Sequence, residues 1–149
     1  MKISVITVYK LGDVKELEGT LLSVSSQKYK AWEHILVVSG VAKISEFIRK
    51  YKDECSRLVL NQDESIYNAM NIGLEMATGD AVIFLNGGDR FYSDNALSIV
   101  KMNYIEGLCL SFRSMQCFDD QCYVRPSMSR LHDLADKPAH QAFVAPIKM

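Results

Sequence analysis

The sequence predicts an α/β domain with a mostly parallel central sheet, and three observations lead there. Apolar, β-branched runs alternate along the chain with stretches whose apolar residues recur at helical spacing. Two of those runs, residues 3–8 and 81–85, are near-continuously apolar rather than alternating, the pattern of strands covered on both faces. The chain's 149 residues, 48% of them hydrophobic, suffice for one buried core, and no linker, repeat or low-complexity segment divides them.

In chain order, residues 3–8 form the first strand. Val14, Leu17, Leu21 and Val24 then mark the apolar face of a helix, with Lys15, Glu16 and Glu18 on the other side. Residues 35–38 are a second buried strand. Ile44, Phe47, Ile48 and Tyr51 outline a second helix, and residues 58–60 a short third strand. Ser65 is placed to cap a helix carrying Ile66, Ala69, Met70, Gly73, Leu74 and Ala77, with Gly79 as its C-terminal cap. Residues 81–85 are the fourth strand, and 96–100 a further helix. Residues 108–110 and 123–125 read as strands, with Asp119-Asp120 as the turn of a hairpin.

Composition excludes several partners. A net charge of −1 and scattered Lys and Arg give no field or aromatic platform for nucleic acid. No apolar run reaches the roughly 18 residues of a spanning helix. The N-terminal run is too short and too β-branched for a signal peptide. A cytoplasmic location follows as the expectation. Cys55, Cys109, Cys117 and Cys122 form no Cys-x-x-Cys pair and are expected as reduced thiols in or near the core.

Ligands of open parallel sheets bind beyond the carboxyl ends of the strands, where strand order reverses. The candidates are therefore Tyr9 and Lys10, Ser39 and Gly40, residues 61–64, and residues 86–90. Neither a Gly-x-Gly-x-x-Gly turn nor a Gly-Lys-Ser/Thr loop is present. A bound diphosphate would thus need a carboxylate-held cation. Asp89, after Asn86-Gly87-Gly88, is such a carboxylate, although Asn, Gly and Asp equally make an ordinary turn. Tyr67, Asn68 and Asn71 span one turn of the helix behind Ser65 and suit a polar or anionic ligand. A capped helix with a solvated face explains them as well.

Together the two clusters resemble glycosyltransferase family 2, the inverting GT-A-fold enzymes, and most closely its bacterial polysaccharide and colanic-acid branch. Residues 3–9, 23–35 and 63–73 are similar to that branch's opening strand, following segment and Ile-Tyr-Asp-Ala-Met-Asn signature. Residues 84–89, Phe-Leu-Asn-Gly-Gly-Asp, resemble its metal motif, and His140-Gln141 a later His-Gln pair.

The resemblance implies a GT-A-type, Rossmann-like three-layer sandwich. It implies Mn2+ or Mg2+ at Asp89, bridging the diphosphate of a sugar nucleotide, with Asn86, Gly87 and Gly88 beside it. Thr7, Val8 and Tyr9 would line the nucleotide pocket, Asp63 would lie near base and ribose, and Tyr67 and Asn71 would complete the site. His140 would face donor or acceptor, or be a buried structural histidine.

Two positions depart from the family pattern, and the general base is unassigned. Gly88 stands where many relatives carry a second aspartate. Ser39 replaces the aspartate that recognises the nucleobase, and its hydroxyl lacks the charge-assisted strength of a carboxylate. In the family the general base is an Asp or Glu beyond the His-Gln region, whereas this chain stops at Met149, shortly after His140. Asp119, Asp120, Asp133 and Asp136 carry no motif that assigns them that role. Residues 142–144 read as a strand whose supporting elements are missing.

The expectation is one nucleotide-sugar-binding domain over residues 1–149, incomplete on its acceptor side. It would transfer a sugar, UDP-linked in the first instance, with inversion to a saccharide or lipid-linked acceptor in cell-surface polysaccharide synthesis. It would be cytoplasmic or peripheral to the inner face of the membrane, with a homo-oligomer as one way to cover an open side. The rival is an inactive relative serving as a nucleotide-binding or assembly module. A nucleotidyltransferase is a third reading, supported weakly by Tyr9-Lys10-Leu11-Gly12-Asp13.

Overall fold

The structure is a computed structural model that describes residues 1–10, 14–39, 51–53, 55–62, 65–118, 121–125 and 143–147. Its centre is β1 (Ile3–Lys10), whose residues are all buried up to Lys10. The near-continuous apolar run is explained by position, since β1 has a strand on each side and helices on both faces. It pairs in parallel with β2 (Trp32–Ser39) and with β4 (Ala81–Phe84). β3 (Arg57–Asn61) adds in parallel to the far side of β2. Beyond β4 lie β8 (Phe143–Pro146) and the two-residue β5 (Leu110–Ser111), each antiparallel to its neighbour. The sheet order is β3-β2-β1-β4-β8-β5.

Side chains alternate across the sheet. Ile3, Val5, Ile83 and Val144 pack with Val24, Leu97 and Val100. These belong to α1 (Val14–Ser25) and α3 (Ala96–Asn103). Leu17 and Leu21 of α1 pack on Tyr9, Leu36 and Val38. Ile6, Val8, Ile35, Val37 and Val82 point the other way, against Ala69 and Met70 of α2 (Ile66–Met76). Three layers result, with a mostly parallel sheet in the middle.

Ser65 caps α2 as expected, its hydroxyl accepting the Asn68 N–H. The other end differs from expectation. α2 stops at Met76, Ala77 is the extended C-cap, and Gly79 serves another purpose. A Cβ on Gly79 would lie 2.7 Å from Ser4 Oγ and 2.8 Å from the Lys2 carbonyl, so its lack of side chain admits the chain to a crowded corner. That corner holds Glu33. Oε1 accepts from Ser4 Oγ at 2.7 Å and from the Thr78 amide at 2.6 Å, while Oε2 accepts from Lys2 Nζ at 2.8 Å. Burial opposes ionisation of Glu33, but these donors outweigh it and bring its pKa down to about 2.

Three expectations for the second half are corrected. The hairpin partner of β7 (Gln121–Arg125) is β6 (Ser114–Phe118), not residues 108–110, of which only Leu110 enters a strand. The expected turn at Asp119-Asp120 lies outside the described residues. Cys117 and Cys122 face each other in the hairpin register with Cα atoms 4.1 Å apart and form a disulfide on exposed strands, not core thiols. Cys55 is half-buried and reduced, and Cys109 is reduced but exposed. β8 does not lack support either, since it lies between β4 and β5. Of the helix expected around residues 44–51, only Tyr51 is described, and it is buried with Tyr9. Among the described residues no helix is long and apolar enough to cross a membrane.

Candidate functional site

Strand order runs outward from β1 through β2 to β3, then restarts on its other side at β4. The switch point is therefore the gap between the carboxyl ends of β1 and β4, and the 86–89 run lies directly beyond it. β1 continues to hold the chain there, with Leu85 N–H donating to the Ile6 carbonyl and Gly87 N–H to the Val8 carbonyl, both at 2.9 Å. The chain then reverses. Asp89 N–H donates to the Asn86 carbonyl at 2.9 Å, and Gly88 has φ +100°, the sense of a type II turn. Gly87 lies flat on the Tyr9 ring, where a Cβ would come within 2.5 Å of Cδ2. The turn explanation and the ligand-site explanation of this run thus describe one geometry.

Sequence reading missed what holds the turn from the other side. Thr20, fully buried on α1, accepts the Gly88 N–H at 2.9 Å and donates to the Asp89 carbonyl at 2.7 Å. Ser23 Oγ accepts the Phe91 N–H at 3.2 Å. Gln27 donates to the Ser93 carbonyl at 2.8 Å and accepts the Leu97 N–H at 3.0 Å. The Arg90 guanidinium lies over Gly19, in space that a Cβ there would occupy. The detectable signal was the spacing of Thr20 and Ser23, three apart on one face of α1, with Gln27 just past the helix end.

The other candidates fall into groups. Thr7 and Tyr9 are buried beneath the switch point, with Thr7 Oγ1 2.8 Å from His34 Nε2. Burial pushes His34 down to about 4, so its ring is neutral near pH 7. Val8 contributes its carbonyl to Gly87 and packs its side chain towards α2. Ser39 is a register partner of both Lys10 and Asn61, so the three form a row across the carboxyl edge of the sheet. Ser39 Oγ is buried with no hydrogen-bond partner among the described residues. Asn61 is buried in the same row, and only its position after β3 pointed to it. Tyr67 and Asn71 are exposed on α2, on the opposite face of the sheet from α1. Asp63, Gly40 and His140 lie outside the described residues, as do Asp119, Asp120, Asp133 and Asp136.

Asp89 is half-buried, and both its backbone groups are hydrogen-bonded, which fixes where its side chain starts. Among the described residues no group of three or more His, Cys, Asp or Glu gathers that could hold a metal. In the turn itself the carboxylate is that of Asp89, to be supplemented by ligand oxygens and water. That donor set suits a hard ion such as Mg2+ or Mn2+, which is commonly held by one or two carboxylates plus substrate phosphates.

Residues 4–105 match the family described as Glycosyl transferase family 2. Two uncharacterized glycosyltransferases of Mycobacterium tuberculosis, one from each of two strains, are 32% identical over 91 residues. The match takes in 60% of this chain and 34% of theirs, so the chain spans about a third of the length of these curated relatives. Among solved structures, S. aureus TarS 1-349 in complex with UDP-GlcNAc aligns with a TM-score of 0.59 and 20% identity, over 68% of this chain and 30% of that one. The mannosyltransferase PcManGT from Pyrobaculum calidifontis, in complex with GDP-Man and Mn2+, aligns with a TM-score of 0.64 and 19% identity, over 74% and 34%. At such identities the likeness is one of fold, here the GT-A glycosyltransferase fold.

Proposed function

The chain belongs to glycosyl transferase family 2, and from that premise we propose that it binds a nucleoside-diphosphate sugar at the carboxyl edge of its sheet. In this proposal Asp89 holds Mn2+ or Mg2+ and the sugar passes with inversion to a saccharide or lipid-linked acceptor, in cell-surface polysaccharide synthesis. The carrying observation is the placement of the Asn86-to-Asp89 turn at the switch point, with Asp89 fixed through both backbone groups. When bound, the cation would offset the diphosphate charge, the sequence having neither a Gly-x-Gly-x-x-Gly turn nor a Gly-Lys-Ser/Thr loop to meet it.

The chain's own residues do the rest. Gly88 leaves the main chain open to a bulky ligand while Gly87 admits the Tyr9 ring, and Asn86 offers an amide beside it. Thr7, Val8 and Tyr9 form the floor, and Ser39, in the row at the sheet's carboxyl edge, is assigned to the nucleobase, uracil in the first instance. Tyr67 and Asn71 approach from the α2 side, Asp63 is assigned to base and ribose, and His140 serves donor or acceptor. No residue is assigned as the general base.

The test is calorimetry with UDP, UDP-sugars and GDP-mannose, each with and without Mn2+. Metal-dependent binding of at least one donor, lost in Asp89→Ala, is expected. Absence of all binding, or an Asp89→Ala variant that binds like the parent, overturns the proposal. A second reading, a binding module without turnover, is favoured by Gly88 in place of a second carboxylate. Metal-dependent release of UDP from the donor separates the two, since a module would bind and not hydrolyse.

A further inference from the structure

We infer that Thr20 is a positioning residue for the cation-binding carboxylate, an inference that rests on the proposed role of Asp89. The Thr20 hydroxyl makes two bonds to consecutive residues of the turn, accepting from Gly88 N–H and donating to the Asp89 carbonyl. The first group belongs to the peptide before Gly88 and the second to the peptide after Asp89, so the two bonds bracket both residues. A hydroxyl that both accepts and donates at 2.9 and 2.7 Å leaves the turn little freedom to rotate, and Thr20 itself is fully buried and cannot swing away. The remaining backbone bond, Asp89 N–H to the Asn86 carbonyl, closes the turn internally but does not orient it against the rest of the domain.

Orientation against the domain comes from two sides: Gly87 N–H on the Val8 carbonyl of β1, and Thr20 on α1. The β1 contact is made at Gly87, before the φ +100° step at Gly88. Thr20 spans that step, with one bond at Gly88 N–H and one at the Asp89 carbonyl.

Thr20→Val keeps the shape and removes both hydrogen bonds, whereas Thr20→Ser keeps both and removes a methyl group. Three quantities are compared with the parent chain: Mn2+ affinity in the presence of UDP, from the EPR signal of free Mn2+; metal-free UDP binding, by saturation-transfer NMR; and thermal unfolding. Thr20→Val is expected to weaken Mn2+ binding about tenfold, the scale of one well-placed hydrogen bond. Metal-free UDP binding stays within about twofold of the parent, and Thr20→Ser restores Mn2+ affinity.

If Thr20→Val binds Mn2+ like the parent while Asp89→Asn does not, the positioning role is wrong and the donor site stands. If Thr20→Val loses metal-free UDP binding equally and Thr20→Ser fails to rescue, the residue is only structural and the inference also falls. If Asp89→Asn itself leaves Mn2+ binding intact, the cation site is misplaced and both fall.

Discussion

Oε2 of Glu33 lies 2.8 Å from Nζ of Lys2, at the amino end of the sheet and therefore at the edge opposite Asp89. The carboxylate is almost fully buried, while the Lys2 side chain is 42% exposed, so solvent screening reduces the ammonium's share. The donors from Ser4 and Thr78 complete its satisfaction. Glu33 accordingly belongs to the framework that holds β1, β2 and the approach to β4 together, and not to the ligand edge.

Replacing Glu33 by Gln should therefore lower stability near pH 7 by about 2 kcal/mol and leave ligand binding unaffected. Because the folded-state pKa is depressed from 4.5 to about 2, the ionised carboxylate's contribution is present above 4.5 and is lost as pH falls towards 2. Urea unfolding at pH 7 and pH 3 checks this. The gap between parent and Glu33→Gln must narrow at the lower pH; a constant gap refutes the linkage.

His34 titrates in a different window. Its folded-state pKa is lowered from 6.5 to about 4, so the unfolded chain takes up a proton that the folded chain refuses. Stability is full above 6.5 and declines between 6.5 and 4, by up to roughly 1.4 kcal/mol per pH unit. His34→Gln keeps an amide beside Thr7 and removes the titration. Its unfolding midpoint should be flat between pH 7 and 5, where that of the parent falls.

Gly88 invites an attempt to restore the second carboxylate found in many relatives. The structure argues that Gly88→Asp fails. The position has φ +100°, where a side chain costs on the order of 1–3 kcal/mol. The new Cβ would also lie 3.6 Å from Glu16 Oε2, bringing like charges together. A lower unfolding temperature with no gain in Mn2+ affinity is expected, and tighter Mn2+ binding would contradict it.

The parts legible in sequence were those governed by local pattern. The unbroken apolar content of β1 announced burial on two faces, and Ser65 announced the start of α2. Thr20 and Ser23 on α1 and Gln27 just past its end escaped notice because polar residues on and after a helix ordinarily face water, and only the tertiary structure shows that they meet the 88–97 backbone. Gly79 was misread for a related reason: a glycine after a helix suggests a cap, and the crowding at Ser4 comes from 75 residues away. β6 and the Cys117–Cys122 pairing likewise depend on which strand becomes the partner, which short alternating segments do not specify. In the candidate site, Asp89 and its turn were legible, whereas the support beneath them was not.

The two-residue β5 has a bearing on solubility. β8 carries the apolar Val144 and would otherwise present a strand edge on which a second chain could stack. Leu110 and Ser111 occupy that edge with a strand too short to act as a template itself. Ser111→Pro removes a backbone donor there. Light scattering of the variant on mild warming should rise well ahead of the parent, and equal curves would mean that another segment keeps the molecules apart.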